Sequence, residues 1–406
     1  MKSILVVLLL VSLGSLSAFH IAPPQARWRA RRALKPAPAL CASEQDEMAA
    51  AGQTCTRASL LPPPSIPVPA QLAALLAGYT AHVAWVSKMA FGLVLPISQR
   101  RIEFGVENAL GVGILFLTAV RALLQHQHQH PPGSEDDKAS SPRVPWGSLS
   151  GTRMELVQTA GTLVCVFLLS GYAFNAFGFM FYLLASLGLP VTEPQLRALQ
   201  VLCSHLVWII MAARVLGKRL SPFFPPPFGK GQWLSLRWRC DWLLWALGGY
   251  FASLFTYNAA EALNCAMMPL PQLAAATEAD PGIGRAGDDT LVQQLLQPEG
   301  GDLIALGIGA VAPCLTAPIF EEVLYRGFLL PALRAFMPMS LALPLHSILF
   351  GLHHQSLSAV LPLSALGMLW GTIYLRSGNL LTVVLIHALW NTRIFIGSLV
   401  DIVLSP

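Results

Sequence analysis

Charge is what this chain has least of. Asp, Glu, Lys and Arg make up 12% of its 406 residues, and 54% are hydrophobic. Soluble domains carry about a quarter charged residues, so an ordinary soluble domain is excluded. Strict apolar/polar alternation is missing too. The apolar runs are continuous and several approach the ~20 residues of a helical span, which favours helices over a closed barrel. Paired cysteines are absent: Cys41, Cys55, Cys165, Cys203, Cys240, Cys265 and Cys314 are odd in number and scattered, with no CxxC. That speaks against a disulfide framework and against a cysteine-ligated zinc site. No basic face with interleaved aromatics occurs, so the net charge of +5 argues for membrane contact or targeting and against nucleic acid. There is no internal repeat.

The sharpest shortage is of acids. Between Leu303 and Val400 the only carboxylates are the adjacent Glu321 and Glu322. An acid at the centre of a membrane helix costs roughly 2.5–3.5 kcal/mol on insertion scales. Two acids kept side by side where all others are gone point to use. Arg326, His353, His354, His387 and Asn391 lie in the same stretch.

The expected fold class is all-α, a polytopic transmembrane helical bundle of about eight spans with an intramembrane active-site cavity. Residues 1–43 read as a signal peptide plus a targeting segment. Lys2 and the apolar Ile4–Leu16 end in small residues before Phe19, and the basic, acid-free run to Leu40 follows. Residues 44–70 read as a linker, and 71–265 as N-terminal transmembrane helices with polar loops. A loop covers 266–300, and the chemistry-bearing helices cover 301–406. Spans are expected at 104–124, 155–187, 195–216, 240–262, 302–320, 340–354, 357–376 and 380–404. Residues 71–96 form a weak span or an interfacial helix. The run 155–187 exceeds one span, predicting a tilt or a break near Gly171 or Gly178. His126, His128 and His130 alternate with Gln in a loop that reads as solvated. Loop 217–239, with Lys218, Arg219, Lys230, Arg237 and Arg239, faces the cytosol or stroma by the positive-inside rule. Arg100 and Arg101 form a second basic flank on the other side, so orientation stays open.

Glu322 and Arg326 are four apart and share a helix face. The arginine offsets the desolvation of a buried acid. Glu321 points about 100° away, which predicts unlike roles, one acid as base and one as orienting group. Pro313 and Pro318 predict a bend or break in that helix. Leu349-Phe350-Gly351-Leu352-His353-His354 and His387-Ala388-Leu389-Trp390-Asn391 add His and Asn from two further helices. The set suits water activation and oxyanion stabilisation. It suits equally a divalent metal held by two His and a carboxylate.

Glu-Glu-x-x-x-Arg, Phe-x-x-x-His and His-x-x-x-Asn in this order resemble the three motifs of the CAAX-protease and bacteriocin-processing (CPBP, or Abi) family. This is the group of the type II CAAX prenyl endopeptidases and lysostaphin resistance protein A-like proteins. Gly367–Leu380 resembles the family's glycine-spaced helix and turn. The likeness covers about 300–395. It implies an intramembrane CAAX prenyl endopeptidase-like (metallo)endopeptidase in which Glu321, helped by His354, activates water. His387 and Asn391 would stabilise the oxyanion, and Glu322 would pair with Arg326. It leaves open whether Zn2+ sits on Glu321, His354 and His387 or the glutamate acts without metal. The implied partners are membrane lipid and membrane-anchored or prenylated protein substrates. The leader resembles the bipartite plastid-targeting leaders of algae with complex plastids, which implies a plastid membrane ahead of the endoplasmic reticulum. Two other readings compete: a non-catalytic membrane scaffold that stabilises partners, and a Glu/His proton-relay transporter. The second predicts polar residues spread through the N-terminal helices, which carry few (Glu107, Glu155, His205 and Glu261).

Overall fold

The computed structural model describes residues 67–85, 90–97, 100–129, 144–146, 151–188, 190–220, 242–267 and 290–404. The leader and most of the linker lie outside the described residues. So do most of the 125–153, 217–239 and 266–300 loops.

The chain enters as α1, Val68–Ala84, with Pro69 in its first turn, where a missing N–H costs nothing. Residues 71–96 do not continue as one helix. An antiparallel hairpin follows, β1 Ala90–Ile97 and β2 Arg100–Gly105, with Leu95 opposite Ile102 and Ile97 opposite Arg100. Leu93-Val94-Leu95 and Ile102 suit strands, and Pro96 stops a helix. Then come α2, Val106–Gln129, and α3, Arg153–Ser186. Thr152 and Glu155 close a reciprocal cap at the start of α3, which satisfies two orphan N–H groups. Of the two alternatives for this run, a tilt or a break, the break does not occur. A Cβ on Gly178 would lie 2.5 Å from the Gln200 amide nitrogen, which donates to the Phe174 carbonyl at 2.9 Å. This glycine makes room for a neighbouring helix; it does not end its own.

α4 is Glu193–Leu220, α5 is Trp242–Met267 and α6 is the short Thr290–Leu296. The long α7, Leu303–Arg334, is where the proline expectation is answered. The helix does not break; it widens. Ala312–Thr316 and Val323–Leu329 are π-helical, with α-helix before, between and after them. The Ala317 N–H bonds to the carbonyl of Ala312, leaving the Pro313 carbonyl with no N–H from Ala317. Its alternative partner one residue on is Pro318, which has none. Such widened turns recur at functional sites.

α8 is Met339–His353, α9 Leu357–Ser377 and α10 Leu380–Leu404. Gly378 turns the chain between the last two at φ 61°, a conformation that glycine enters freely. The Asn379 side chain then accepts the N–H of Leu381 at 3.2 Å. α8 and α9 approach closely because of small residues. A Cβ on Gly351 would lie 2.6 Å from the Val360 carbonyl, and one on Gly367 3.1 Å from the Cα of Ser347. Small residues let helix backbones meet where no water drives them together.

The all-α polytopic class stands, with one hairpin beside the helices. The count of eight spans is not confirmed. Five described helices are long and apolar enough to cross a membrane: α3, α4, α7, α9 and α10. α8, with 15 residues, is only about 22 Å long at 1.5 Å per residue. α2 and α5 are long but more polar, the latter through Asn258, Glu261 and Asn264. These helices make the chain an integral membrane protein.

Candidate active site

The site is built on α7, α8 and α10 and closed by α4 and α9. Glu322 and Arg326 are both fully buried, and their contact is 3.0 Å. The same oxygen, Oε1 of Glu322, also meets Nδ1 of His387 at 3.0 Å. Arg326 in turn donates to the Gly367 carbonyl at 3.2 Å, and its guanidinium lies 4.8 Å from the Phe350 ring centre and 5.7 Å from that of Trp370. The buried charge is therefore enclosed by an acid, a carbonyl and two aromatic faces. An ionised carboxylate only accepts, so Nδ1 of His387 carries the hydrogen and Nε2 is left for other work. The His387 ring packs 4.7 Å from Trp370.

Glu321 is one residue away and differently placed. It is 7% exposed, and its Oε2 has no hydrogen-bond partner. The imidazoles near it are those of His387, His354, His353 and His205. His354 ends α8, where its Nδ1 lies 2.9 Å from the Phe350 carbonyl. Asn391 donates 2.7 Å to the Pro313 carbonyl, the group that the widened turn of α7 left without an N–H. One amide hydrogen of Asn391 is thus spent on holding α7 to α10, and one remains.

Arg326 and His387 thus meet Glu322, His354 and His387 lie by Glu321, and Asn391 binds the widened turn of α7 that precedes both acids. Two neighbours were undervalued in the sequence. His353, which precedes the histidine of the Phe-x-x-x-His motif, sits 4.7 Å from Phe167, 5.1 Å from Trp208 and 5.9 Å from Tyr325, ring centre to ring centre. Neither of its ring nitrogens has a partner. His205, counted among scattered polar residues, comes in from α4 beside Trp208 at 5.6 Å. The signal for it was weak: a His three residues before a Trp on a long apolar helix. His346 is fully buried beside Tyr325, 5.8 Å away, and belongs to the packing. Among the described residues no three His, Cys, Asp or Glu side chains are grouped closely enough to hold a metal ion. The zinc reading finds no ready donor set here, and no step below uses it.

Three comparisons bear on what this arrangement is. Residues 304–393 match the family described as Type II CAAX prenyl endopeptidase Rce1-like. The chain is 26% identical over 158 residues to "Putative membrane peptidase YdiL" of Bacillus subtilis (strain 168), a match covering 39% of this chain. It spans 57% of that relative's length. No solved structure matches the chain. The matched segment runs from the second residue of α7 to the turn after Asn391, so it holds all three motifs and leaves His205 outside. Over this segment the chain is similar to the Type II CAAX prenyl endopeptidase Rce1-like family.

Proposed function

We propose that this chain is an intramembrane endopeptidase that hydrolyses peptide bonds of membrane-associated substrates, with Glu321 as the base that activates water. One observation carries this: of two adjacent buried acids, Glu322 is engaged through Oε1 by Arg326 and His387, while Glu321 joins neither and its Oε2 lies unpartnered among imidazoles. A buried polar atom without a partner needs a reason, and a water held there supplies one.

In this reading Glu321 takes a proton as water oxygen attacks the scissile carbonyl carbon. The carbonyl π bond becomes the oxyanion, and the remaining amide hydrogen of Asn391 donates to it. His354 helps hold the water. Glu322, held by Arg326, fixes the His387 ring through Nδ1, as a buried acid orients the histidine of a hydrolytic triad. Nε2 then faces the reacting centre. When the C–N bond breaks, the leaving nitrogen receives the proton that Glu321 took. The substrates fit membrane-anchored segments, prenylated CAAX tails among them. The leader supports a plastid membrane as the address, which weighs against CAAX tails because prenylated proteins are mainly a cytosolic-face matter. Fusing residues 1–45 to a fluorescent protein in an alga with complex plastids tests this; retention in the endoplasmic reticulum would refute it.

The activity test uses the full chain in proteoliposomes with quenched-fluorescence peptides, one prenylated at its C-terminus and one spanning the bilayer. Wild-type protein should cleave at least one of them, and Glu321→Gln should not. Wild-type protein inert towards both, yet folded and binding them, would favour the scaffold reading.

A further inference from the structure

A second cavity lies away from Glu321. It has a volume of about 260 Å³ and opens between α2, α5 and α9. Its walls are mostly apolar, and its polar groups are Thr118 and Arg121 of α2 and Thr372 and Arg376 of α9. No Asp or Glu lines it. α2 and α5 touch at Gly111, where a Cβ would lie 2.4 Å from the Phe251 carbonyl. Further along α2 the cavity begins, and Gly248 on α5 keeps it open, since a Cβ there would meet only Ile114, at 3.6 Å. Trp245 stands beside it near the start of α5, a position typical of the membrane–water interface.

The cavity sits at the end of the bundle where α5 begins and α9 stops. The same end holds the start of α3 and the end of α7: Arg153 lies 5.6 Å from the Phe336 ring centre, and Trp146 stacks on Tyr374 at 6.0 Å. The segment joining α4 to α5 leaves and returns there and carries Lys230, Arg237 and Arg239. At the opposite end, Thr192 of the α4 entrance meets Asp302 of the α7 entrance. The cavity's end carries more basic residues than the end of Arg100 and Arg101, so the positive-inside rule favours it as the cytosolic or stromal one.

We propose that this cavity binds one anionic phospholipid of that leaflet. Its phosphate is held between Arg121 and Arg376, and the end of an acyl chain lies along Trp245 and Gly248. Basic pockets between membrane helices on this side suit anionic headgroups. The cavity is smaller than the roughly 300–1,000 Å³ of small-molecule sites, so it takes part of a chain and leaves the headgroup at the mouth. The site is independent of the protease reading.

The test titrates the detergent-purified full chain with phosphatidylglycerol, phosphatidylcholine or inorganic phosphate, following thermal unfolding and lipid retention by native mass spectrometry. Phosphatidylglycerol should raise the melting temperature and remain bound at one molecule per chain. The other two should do neither. Arg376→Gln should weaken retention at least tenfold, and Gly248→Leu should do so with both arginines in place. Arg334→Gln, at the same end but outside the cavity, should leave it unchanged. Equal loss in Arg334→Gln would overturn the site in favour of general attraction to a basic face. Undiminished retention in Gly248→Leu, or equal stabilisation by inorganic phosphate, would overturn the chain-binding part and with it the proposal.

Discussion

Two buried glutamates in this protein have almost the same company. Glu322 joins Arg326 and His387. Glu107 joins Arg393 at 2.7 Å and His82 at 2.9 Å. Both clusters draw one member from α10. The second is closed: each Glu107 oxygen has one partner, and the far nitrogen of His82 meets the Tyr250 hydroxyl at 3.1 Å. It ties α1, α2, α5 and α10 together and leaves no acid unspent. The first is open: Oε2 of Glu322 has no partner, and neither has Oε2 of the neighbouring Glu321, which joins neither Arg326 nor His387. An acid flanked by arginine and histidine is therefore a fastening that this fold uses twice. What marks the candidate active site is the uncommitted carboxylate beside it.

That contrast can be broken in three ways. Glu321→Gln should lower cleavage by about 10²–10⁴-fold, the range for loss of a positioned general base, with the unfolding midpoint unmoved. Cleavage rates and thermal melts on one preparation decide it; activity kept near wild type would end the base assignment. Glu322→Gln strips a fully buried arginine of its acid and should cost about 3–5 kcal/mol of stability, read as loss of folded protein in detergent. Glu107→Gln should cost less, about 1–3 kcal/mol, as a hydrogen-bonded buried acid lost from a cluster whose arginine side chain is 30% exposed. Cleavage per folded molecule should survive it. If it fell as far as in Glu321→Gln, the two clusters would not differ in kind.

The smallest effect concerns the entrance to α7. Asp302 caps that helix, accepting the N–H groups of Ile304 and Ala305. The Thr192 hydroxyl first of all, then the Ala305 N–H, hold its carboxyl below the ordinary value of 3.8. A depressed acid contributes stability that is complete above its unfolded pKa and is lost as pH falls through the folded one. Asp302→Ala should therefore cost about 1 kcal/mol at neutral pH, the usual worth of such a cap. The gap to wild type should shrink only on acidification below the ordinary carboxylate range. A gap constant down to strongly acidic pH would rule out the carboxylate as its source.

Much of the candidate site was legible before any coordinates. Glu321, Glu322, Arg326, His354, His387 and Asn391 stand out because acids and imidazoles are costly in hydrocarbon and therefore visible against an apolar background. The Glu322–Arg326 pair follows from four-residue spacing. The Glu322–His387 contact spans 65 positions and has no local signature. The same holds for His205, which reaches the site only because α4 packs against α7.

Hydropathy also does not tell which helices are packed inside the protein. The apolar windows of α3 and α7 are nearly equal in hydropathy, yet 11% of the first is buried and 44% of the second. Tyr172, Phe179 and Tyr182 of α3 point outward. Apolarity records that a side chain avoids water and is indifferent to whether lipid or protein replaces it.

The sequence by itself therefore determined that the chain is a helical membrane protein, which residues were too costly to be idle, and which of them share a helix face. Those properties depend on composition and on spacings within one turn. Only the tertiary structure decided that Pro313 and Pro318 widen a helix instead of breaking it, because the carbonyl left without an N–H is answered by Asn391, 78 residues away. The tertiary structure likewise separated the two glutamates. Which of two adjacent acids is engaged by arginine and histidine depends on what the other helices bring to each, and that is a property of packing.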